Sequence, residues 1–451
     1  MTVLSRGPFR SLRNANYRIW AAGALVSNIG TWMQRIAQDW LVLTQLTAHN
    51  ATAVGVVMAL QYGPHLLLLP FTGYAADLFD RRKLLLATQF GMGVLAASLG
   101  VLTITGAIQL WEVYVMALVQ GCITAFDAPA RHSFVSELVG EADLSNAVAL
   151  NSTSFNAARM IGPAAAGLII AAVGSGWAFL INAASFVAVL GSLTLLRVDD
   201  LHRSARATPT RGGLIDGFRY VWRRADLKTI LVMLFLVGTF GMNFPIFIST
   251  MSVSVFHVGA GEYGLLMSIM AIGTIAAALL AAGQETPRFV RLVAGAAFFG
   301  LGCGLAAVMP GYWLFGGTLV IIGVSALTFS NSTNSLMQLA TEPAMRGRVM
   351  AMRLAVALGG TPIGAPIVGW VADHFGPRWS LGVGAAAGLA AAIVGLFHVV
   401  RRRGEGRAAQ LKSSSSKDVN GAAHAASETE AVLAAMPKAV QGQFRSDRYR
   451  D

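Results

Sequence analysis

Twelve long apolar segments, separated by short polar breaks, constrain the fold of this 451-residue chain more than any other feature. A helix that crosses a bilayer needs about 20 mostly apolar residues. The predicted spans are Tyr17–Leu46, Thr52–Ala75, Leu84–Gly106, Leu110–Ala130, Ala147–Val173, Trp177–Leu196, Ile230–Phe256, Tyr263–Gly283, Leu292–Met309, Tyr312–Leu339, Val349–Ala372 and Ser380–Val400. Only 12% of the residues are charged, about half the share of a soluble protein. This excludes a soluble enzyme, a secreted disulfide scaffold and a disordered chain, and predicts an all-α polytopic membrane protein.

The sequence lacks the motifs of common cofactor chemistry. No G-x-x-x-x-G-K-[ST] phosphate loop and no H-E-x-x-H pair occurs, and the eight histidines are scattered. Cys122 and Cys303 both lie in apolar segments, which favours neither a disulfide framework nor a zinc site. We therefore expect no cofactor, no metal and no enzymatic activity. Any uphill transport must draw on an ion gradient.

The distribution of lysine and arginine predicts the orientation in the membrane. Of the 34 basic residues, 30 fall on one side, at the two termini and in loops, with Arg18 at the very start of the first span counted among them. Three fall well within spans, and Arg378 alone falls on the opposite side. Cytoplasmic loops carry such an excess, so we expect a plasma-membrane protein with both termini in the cytoplasm. The net charge of +12 is then a consequence of topology, and we expect no nucleic-acid partner.

The spans fall into two groups of six with a charged segment between them. The predicted parts are an N-terminal six-helix bundle (1–196), a cytoplasmic linker (197–229), a C-terminal six-helix bundle (230–400) and a tail (401–451). In the linker, Leu214, Phe218, Val221 and Ala225 follow helical spacing, which predicts an amphipathic helix on the membrane surface or, alternatively, an ordinary packed linker helix. The polar, serine-rich tail predicts disorder apart from one short helix near Ser427.

Glycine and proline interrupt corresponding spans of the two halves. Gly162, Pro163 and Gly167 lie in the fifth span, and Gly360 and Pro362 lie in the eleventh. Paired interruptions of this kind are typical of secondary transporters built from repeats. Glycine and proline are also frequent in membrane helices generally, which explains each site alone but less easily the matched positions.

The first span carries a polar stripe along one side of its helix. Its members are Asn28, Trp32, Gln34, Arg35, Gln38 and Asp39. An ionisable group in hydrocarbon costs several kcal/mol and usually faces a cavity or a partner, so we predict that the stripe lines a substrate cavity. Asp39, with Arg35 beside it, is the predicted proton-coupling pair. The alternatives are a hydrogen-bonding seam between helices and an ion pair within one helix.

Polar side chains in four further spans are predicted to line the same cavity. They are Gln120, Asn156, Arg159, Asn243, Asn331 and Asn334. Three arginines within spans face one acid, Asp39, and of the three only Arg353 lies near a span end. We therefore expect a substrate with an anionic or strongly hydrogen-bond-accepting group. The alternative for Arg159 is a structural bond to carbonyls freed near Pro163.

Four segments resemble the major facilitator superfamily. The family pattern G-x-x-x-D-[RK]-x-G-[RK]-[RK] between the second and third helices is matched at Gly73, Asp77, Arg81 and Arg82, with Leu78 and Asp80 as departures. The segment NAARMIGPAAAG resembles the exporter motif of the fifth helix, with Gly162, Pro163 and Gly167 in register. The opening FRSLRNANYR and the later GTWMQ resemble the branch that contains enterobactin-type siderophore exporters and macrolide-efflux proteins.

This resemblance implies a two-bundle fold, alternating access and proton-driven export of a siderophore-like metabolite or drug. It implies that helices 1, 4, 7 and 10 line the cavity and that the matched motif residues, with Asp80, take part in conformational gating. Ala117 replaces the usual arginine of the fourth-helix motif, which shifts the proton-coupling role to Asp39. Asp77 is expected to meet the positive end of a helix in the other half.

The expected partners are a small-molecule substrate, protons and the lipid bilayer, and we expect a monomer. Two alternative functions remain open. One is a carrier for uptake or facilitated diffusion, which the fifth-helix motif disfavours moderately. The other is a membrane receptor or scaffold that docks partners through its tail. Deletion of residues 401–451 separates the second alternative, because a transporter survives the loss and a scaffold does not.

Overall fold

The computed structural model describes residues 7, 9–68, 71–72, 79–202, 214–282, 288–343 and 345–435. Gly73 and Asp77 of the predicted gating motif lie outside these residues. In the first half the helices are α1 (Ala15–Leu41, continued by a π-helical turn Val42–Leu46), α2 (Ala51–Leu67), α3 (Arg81–Ile104), α4 (Leu110–Val173) and α5 (Ser175–Thr194). Short 3-10 turns cover Arg10–Arg13 and Val198–Asp200.

In the second half, two spans are broken helices and the other four are continuous. The helices are α6 (Leu214–Arg223), α7 (Ala225–Leu236, then a π turn Val237–Gly241), α8 (Phe244–Thr250, then a π turn Met251–Val255), α9 (Ala260–Ala282), α10 (Phe289–Val308), α11 (Tyr312–Ala340), α12 (Arg346–Gly359), α13 (Thr361–Phe375) and α14 (Pro377–Ala435). The seventh span breaks at Asn243 and the eleventh at Gly360, and in each case a proline stands in the first turn of the next helix. Proline has no N–H to donate to the preceding turn, so the helix restarts there.

The helices agree with the predicted membrane fold. Within the described residues, nine helical segments are long and apolar enough to cross a bilayer. One of them, α4, contains both the fourth and the fifth predicted span. The first span is α1, which carries the charged stripe, and the second is α2, whose described helix has 17 residues. The all-α polytopic prediction is thus confirmed.

One predicted loop and part of the predicted tail are helical in the structure. Residues 131–146, expected to join the fourth and fifth spans, continue α4, which kinks at Gly140 with a φ of 69°. That φ is left-handed and favours glycine. Phe134 and Leu138 in this extension are fully buried, so packing stabilises helix beyond the apolar span. Residues 401–435, expected to be mostly disordered, continue α14 to Ala435, where alanine and arginine favour helix.

The linker helix α6 has one packed side and one exposed side. Val221 is fully buried, and the Tyr220 hydroxyl accepts a hydrogen bond from the Glu342 N–H at 3.4 Å. On the other side, Phe218 and Trp222 are more than half exposed and stack on each other with ring centroids 4.9 Å apart. The helix therefore packs against the second half while it presents an aromatic pair to its surroundings.

The two halves meet along two helix pairs, α2 with α13 and the second part of α4 with α9. Glycine permits the close approach of α4 and α9. A Cβ atom at Gly167 would lie 2.7 Å from the Ala260 carbonyl oxygen, and one at Gly264 would overlap the Pro163 carbonyl. Any larger residue would separate the helices. The halves thereby enclose the space between them.

Candidate functional site

A cavity of about 260 Å³ lies between the two halves, near the middle of the spans. It is lined from the first half by Trp32, Arg35, Asp39, Gln61, Tyr62 and Arg159, and from the second half by Met242, Phe244, Met267, Met270, Thr274 and Ser330, among others. Spacings of three and four residues place Trp32, Arg35 and Asp39 on one side of α1. The wall is aromatic and methionine-rich, with a few charged groups that can orient a ligand.

Arg35 is held by aromatic neighbours. Its Nη1 donates a hydrogen bond to the Tyr62 hydroxyl at 3.0 Å. The guanidinium carbon lies 5.0 Å from the centre of the Trp32 ring and 5.8 Å from that of Tyr62, within the range of cation–π attraction. Among the described residues Arg35 and Asp39 form no ion pair, so the positive charge of Arg35 remains available in the cavity.

Asp39 connects the two halves of the protein. The Tyr263 hydroxyl, on α9, donates to Asp39 Oδ2 at 3.4 Å, and Trp40 stacks on the Tyr263 ring with centroids 6.0 Å apart. Asp39 is buried. A bond of that length is weak. Because the bond joins different halves, a movement that separates them at this end breaks it.

Arg159 enters the cavity from α4, half-buried and close to Pro163. The described part of the chain gives its guanidinium no ion pair or hydrogen bond. In particular, no bond to a carbonyl near Pro163 is formed there, and the neighbouring Met160 carbonyl accepts instead from Ser268 Oγ at 2.8 Å. The cavity therefore contains two arginines whose charges Asp39 does not neutralise by a direct ion pair.

Three glutamines connect α1, α2 and α4 beside the cavity. Gln61 Nε2 donates to Gln38 Oε1 at 3.2 Å and lies 3.4 Å from Gln120 Oε1. Of the three, only Gln61 lines the cavity. Gln34 accepts a hydrogen bond from Asn182 of α5 at 2.5 Å. The polar side of α1 thus divides between the cavity and seams with neighbouring helices.

The remaining predicted cavity residues lie elsewhere. Asn156 donates to the Ser152 carbonyl at 2.9 Å, and buried Asn243 donates to the Thr239 carbonyl at 2.8 Å where the seventh span breaks. Asn28, Asn331 and Asn334 are also absent from the cavity wall, and Asn331 lines a second groove on the other side of α11. The sequence identifies the span of each residue, whereas the packing of the helix decides which way it faces.

The described residues of the gating motif stabilise the first half. Asp80 caps α3 by accepting from the Lys83 N–H at 3.1 Å. Arg81 forms an ion pair with Glu137 at 2.6 Å, and Arg82 Nε donates to the Leu193 carbonyl at 2.7 Å. Of the fifth-span motif, Gly162 lies against Trp32, and Pro163 and Gly167 lie against α9.

A carboxylate joins the halves at the end of the molecule where Arg378 lies. Asp373 of α13 accepts hydrogen bonds from the Ala51 N–H at 2.7 Å, the Thr52 N–H at 2.8 Å and the Thr52 hydroxyl at 2.5 Å. It thus caps α2 from the opposite half, where the helix carries partial positive charge. A carboxylate that meets the positive end of a helix in the other half was expected at Asp77. The structure shows such a contact at Asp373, with the N-terminal end of α2.

Sequence reasoning missed Asp373, the cavity residues Gln61 and Tyr62, and Tyr263, which contacts Asp39. Tyrosine near the end of a span usually marks the membrane interface, so the sequence gives no reason to predict that Tyr263 contacts Asp39. Asp373 follows its predicted span by one residue and resembles an ordinary loop acid. No local pattern identifies either contact, because the partners lie 224 and more than 300 residues away along the chain.

Comparison with known proteins places this geometry in a family. Residues 6–432 match the family described as transmembrane secretion effector. The staphyloferrin A transporter of Staphylococcus aureus is 27% identical over 355 residues, which cover 77% of this chain and 87% of that protein. The multidrug efflux pump Tap of Mycolicibacterium fortuitum is 24% identical over 83% of this chain and 92% of its own. The enterobactin exporter EntS of Salmonella typhi is 26% identical over 79% and 85%.

Solved structures share the fold. The nucleoside transporter NupG superposes with a TM-score of 0.66 at 14% identity, and a bacterial homologue of the iron transporter ferroportin in an inward-facing state superposes with 0.65 at 16% identity. Each covers 85% of this chain and 98% of the solved chain. At such identities the likeness concerns the fold alone.

Proposed function

Because the chain belongs to the transmembrane secretion effector family of the major facilitator superfamily, we propose that it exports a small amphipathic molecule in exchange for protons. The chain is accordingly a multi-pass membrane transporter of a small molecule and not an enzyme. Its named relatives include transporters of siderophores and a drug efflux pump. The proposal is that the substrate is of this kind and carries an anionic or strongly hydrogen-bond-accepting group.

The observation that carries the proposal is the charge of the cavity. Arg35 and Arg159 both line it and Asp39 is its one acid among the described lining residues. An uncompensated charge in a low-dielectric site is costly, so an anionic group that pairs with it binds favourably. We place that group at Arg159, because Arg35 lies one helical turn from Asp39 and already donates a hydrogen bond to Tyr62. The methionine and aromatic wall suits the apolar part of the substrate.

The charges in the cavity also give the transport cycle a direction. When Asp39 is ionised and a monoanionic substrate is bound, the two negative charges balance the two positive charges of Arg35 and Arg159. When the substrate has left and Asp39 is protonated, both arginine charges are uncompensated. An inside-negative potential draws positive charge inward, by about 2.3 kcal/mol per charge per 100 mV across the full membrane. The empty, protonated carrier is therefore driven back to the inward-facing state, where Asp39 releases its proton.

The contacts between the halves support an inward-facing arrangement, given the orientation predicted from the basic loops. Asp373 and the Trp40–Tyr263 stack join the halves on the side assigned to the exterior. The cavity extends from Asp39 away from that side, toward Thr274 and Ser330. We propose that Asp77, near the cytoplasmic end of α2, makes the equivalent contact in the outward-facing state.

A flux assay in liposomes tests the proposal. Purified protein is given a pH gradient and a panel of anionic, neutral and cationic amphiphiles, and substrate and proton fluxes are recorded together. Asp39→Asn should abolish accumulation driven by the pH gradient but retain exchange of labelled for unlabelled substrate. The matched control is Asp200→Asn, which changes an exposed acid outside the cavity and should leave both fluxes unchanged.

Arg159→Gln tests the substrate class. Loss of a hydrogen bond to a charged group costs about 1.5–3 kcal/mol, so transport of the anionic compounds should fall at least about tenfold. Arg219→Gln, at an exposed linker arginine, is the control. Best transport of permanent cations, unaffected by Arg159→Gln, would refute the substrate class. Protons that move in the same direction as the substrate would refute exchange and favour uptake.

A further inference from the structure

A second groove of about 560 Å³ lies on the second half, between α9, α10 and α11. Among the described residues it shares no lining residue with the central cavity, because the two occupy different sides of α11. Leu280, Phe298 and Ile321 line it and are 65%, 60% and 45% exposed. These large apolar side chains are typical of a surface that faces lipid. The groove therefore opens to the bilayer.

Polar side chains run along this lipid-facing groove. On α11 they occur at three- and four-residue spacing, which places them on one side of the helix. They are Ser325, Thr328, Asn331, Ser332 and Ser335. Asn331 is exposed, and its amide has no hydrogen-bond partner among the described residues. An unpaired amide that faces hydrocarbon costs several kcal/mol, so this position calls for a polar ligand.

A positive charge stands at one end of the same groove. Arg291 is the third residue of α10 and lines the groove, and its guanidinium forms no ion pair or hydrogen bond within the described part of the chain. Asn331 and Ser335 precede the end of α11 by nine and five residues, or roughly 13 and 8 Å along the axis. These groups lie on the side of the basic loops, and Ile321 lies about 15 Å deeper than Asn331.

We propose that this groove binds an anionic phospholipid of the surrounding bilayer. Its phosphate would contact Arg291 and Asn331, and an acyl chain would lie along Phe298 and Ile321. The side chains along the groove are charged or polar near the interface and apolar toward the membrane centre. A phospholipid has the same arrangement, with a charged headgroup and apolar acyl chains. The volume falls within the range of about 300–1,000 Å³ found for ligand sites. The inference holds whichever substrate the carrier transports.

Native mass spectrometry of the purified full chain tests the site. The protein is equilibrated with equal amounts of phosphatidylglycerol and phosphatidylcholine, and the lipids that remain bound are counted. Phosphatidylglycerol should be retained in preference. Arg291→Gln should weaken its retention about fivefold, the factor expected for one arginine at an anionic membrane surface. Arg288→Gln, one turn earlier, exposed and outside the groove wall, should leave retention unchanged.

Two further arms separate a lipid site from a site for phosphate alone. Ala294→Phe fills the groove without a change of charge and should also reduce phosphatidylglycerol retention. Excess inorganic phosphate should not displace the lipid, because it lacks the acyl chain. Equal retention of the two lipids, equal effects of the Arg291 and Arg288 variants, or displacement by phosphate would each overturn the proposal. If Ala294→Phe does not fold, the comparison of Arg291→Gln with Arg288→Gln still tests the proposal.

Discussion

Replacement of Asp373 by asparagine should favour the outward-facing state. The carboxylate accepts three hydrogen bonds from the start of α2, two from backbone N–H groups and one from the Thr52 hydroxyl. Hydrogen bonds to charged groups contribute about 1.5–3 kcal/mol and neutral ones about 0.5–1.5. The N-terminal helix charge adds about 0.3–1 kcal/mol. Because Asp373 is exposed, we take a net loss of about 1.4 kcal/mol, which shifts the equilibrium about tenfold.

Distances between spin labels on the two halves measure this shift. Ala48 is an exposed residue of the first half, and Gly311 has open space where a side chain would project, both on the Arg378 side. The labels are attached at cysteines introduced there, in a Cys122→Ser, Cys303→Ala background. Asp373→Asn should increase the population with the longer distance at this side about tenfold relative to the population with the shorter one.

A graded control separates the contact from a general loss of stability. Thr52→Val removes only the hydroxyl bond and leaves both backbone bonds to Asp373, so its shift should be smaller, about two- to fivefold. Asp200→Asn should give none. If Asp373→Asn leaves the distance distribution as it is in the unchanged protein, or if Thr52→Val has the larger effect, then Asp373 does not hold this end closed.

Two other changes have defined outcomes. Gly264→Val places a side chain against the Pro163 carbonyl, and overpacking of this kind costs about 1–3 kcal/mol. This variant should therefore unfold at a lower temperature than the control Gly261→Ala, where a Cβ meets nothing within 4 Å. Equal unfolding temperatures would contradict the close approach of α4 and α9. Deletion of residues 401–451 should leave liposome flux within about twofold, because every described residue of the cavity wall lies at or before Thr361. Loss of flux would show that the tail contributes to transport.

The sequence predicts the helices well because hydropathy is a local property. Bilayer thickness sets the length of each span, and the twelve apolar segments report it directly. Extensions beyond the membrane are harder to predict. Residues 131–146 carry polar side chains and resemble a loop, yet they are helical because Phe134 and Leu138 find buried positions in the first half. That burial depends on contacts between spans, which hydropathy does not contain.

The cavity could be predicted only in part, because polarity does not say which way a residue faces. Arg35, Asp39 and Arg159 were identified by their charge, and all three line the cavity. Ser330 and Asn331 show the difficulty: they are adjacent in α11, yet the serine lines the central cavity and the asparagine lines the outer groove. Neighbours in a helix point about 100° apart. An error of one residue in helical phase is therefore enough to exchange the two environments.

The contact of Asp373 with α2, together with the role proposed for Asp77, would give alternating access a simple physical basis. The N-terminus of a helix carries partial positive charge, and its first N–H groups lack partners within the helix. Asp373 supplies those partners to α2 from the opposite half. If Asp77 offers a carboxylate to a helix of the second half at the other end, then each contact can form only when the halves meet at its own end. A rocking movement would then break one contact as it forms the other, which would keep the two states close in free energy. Binding of substrate or proton can then decide between them.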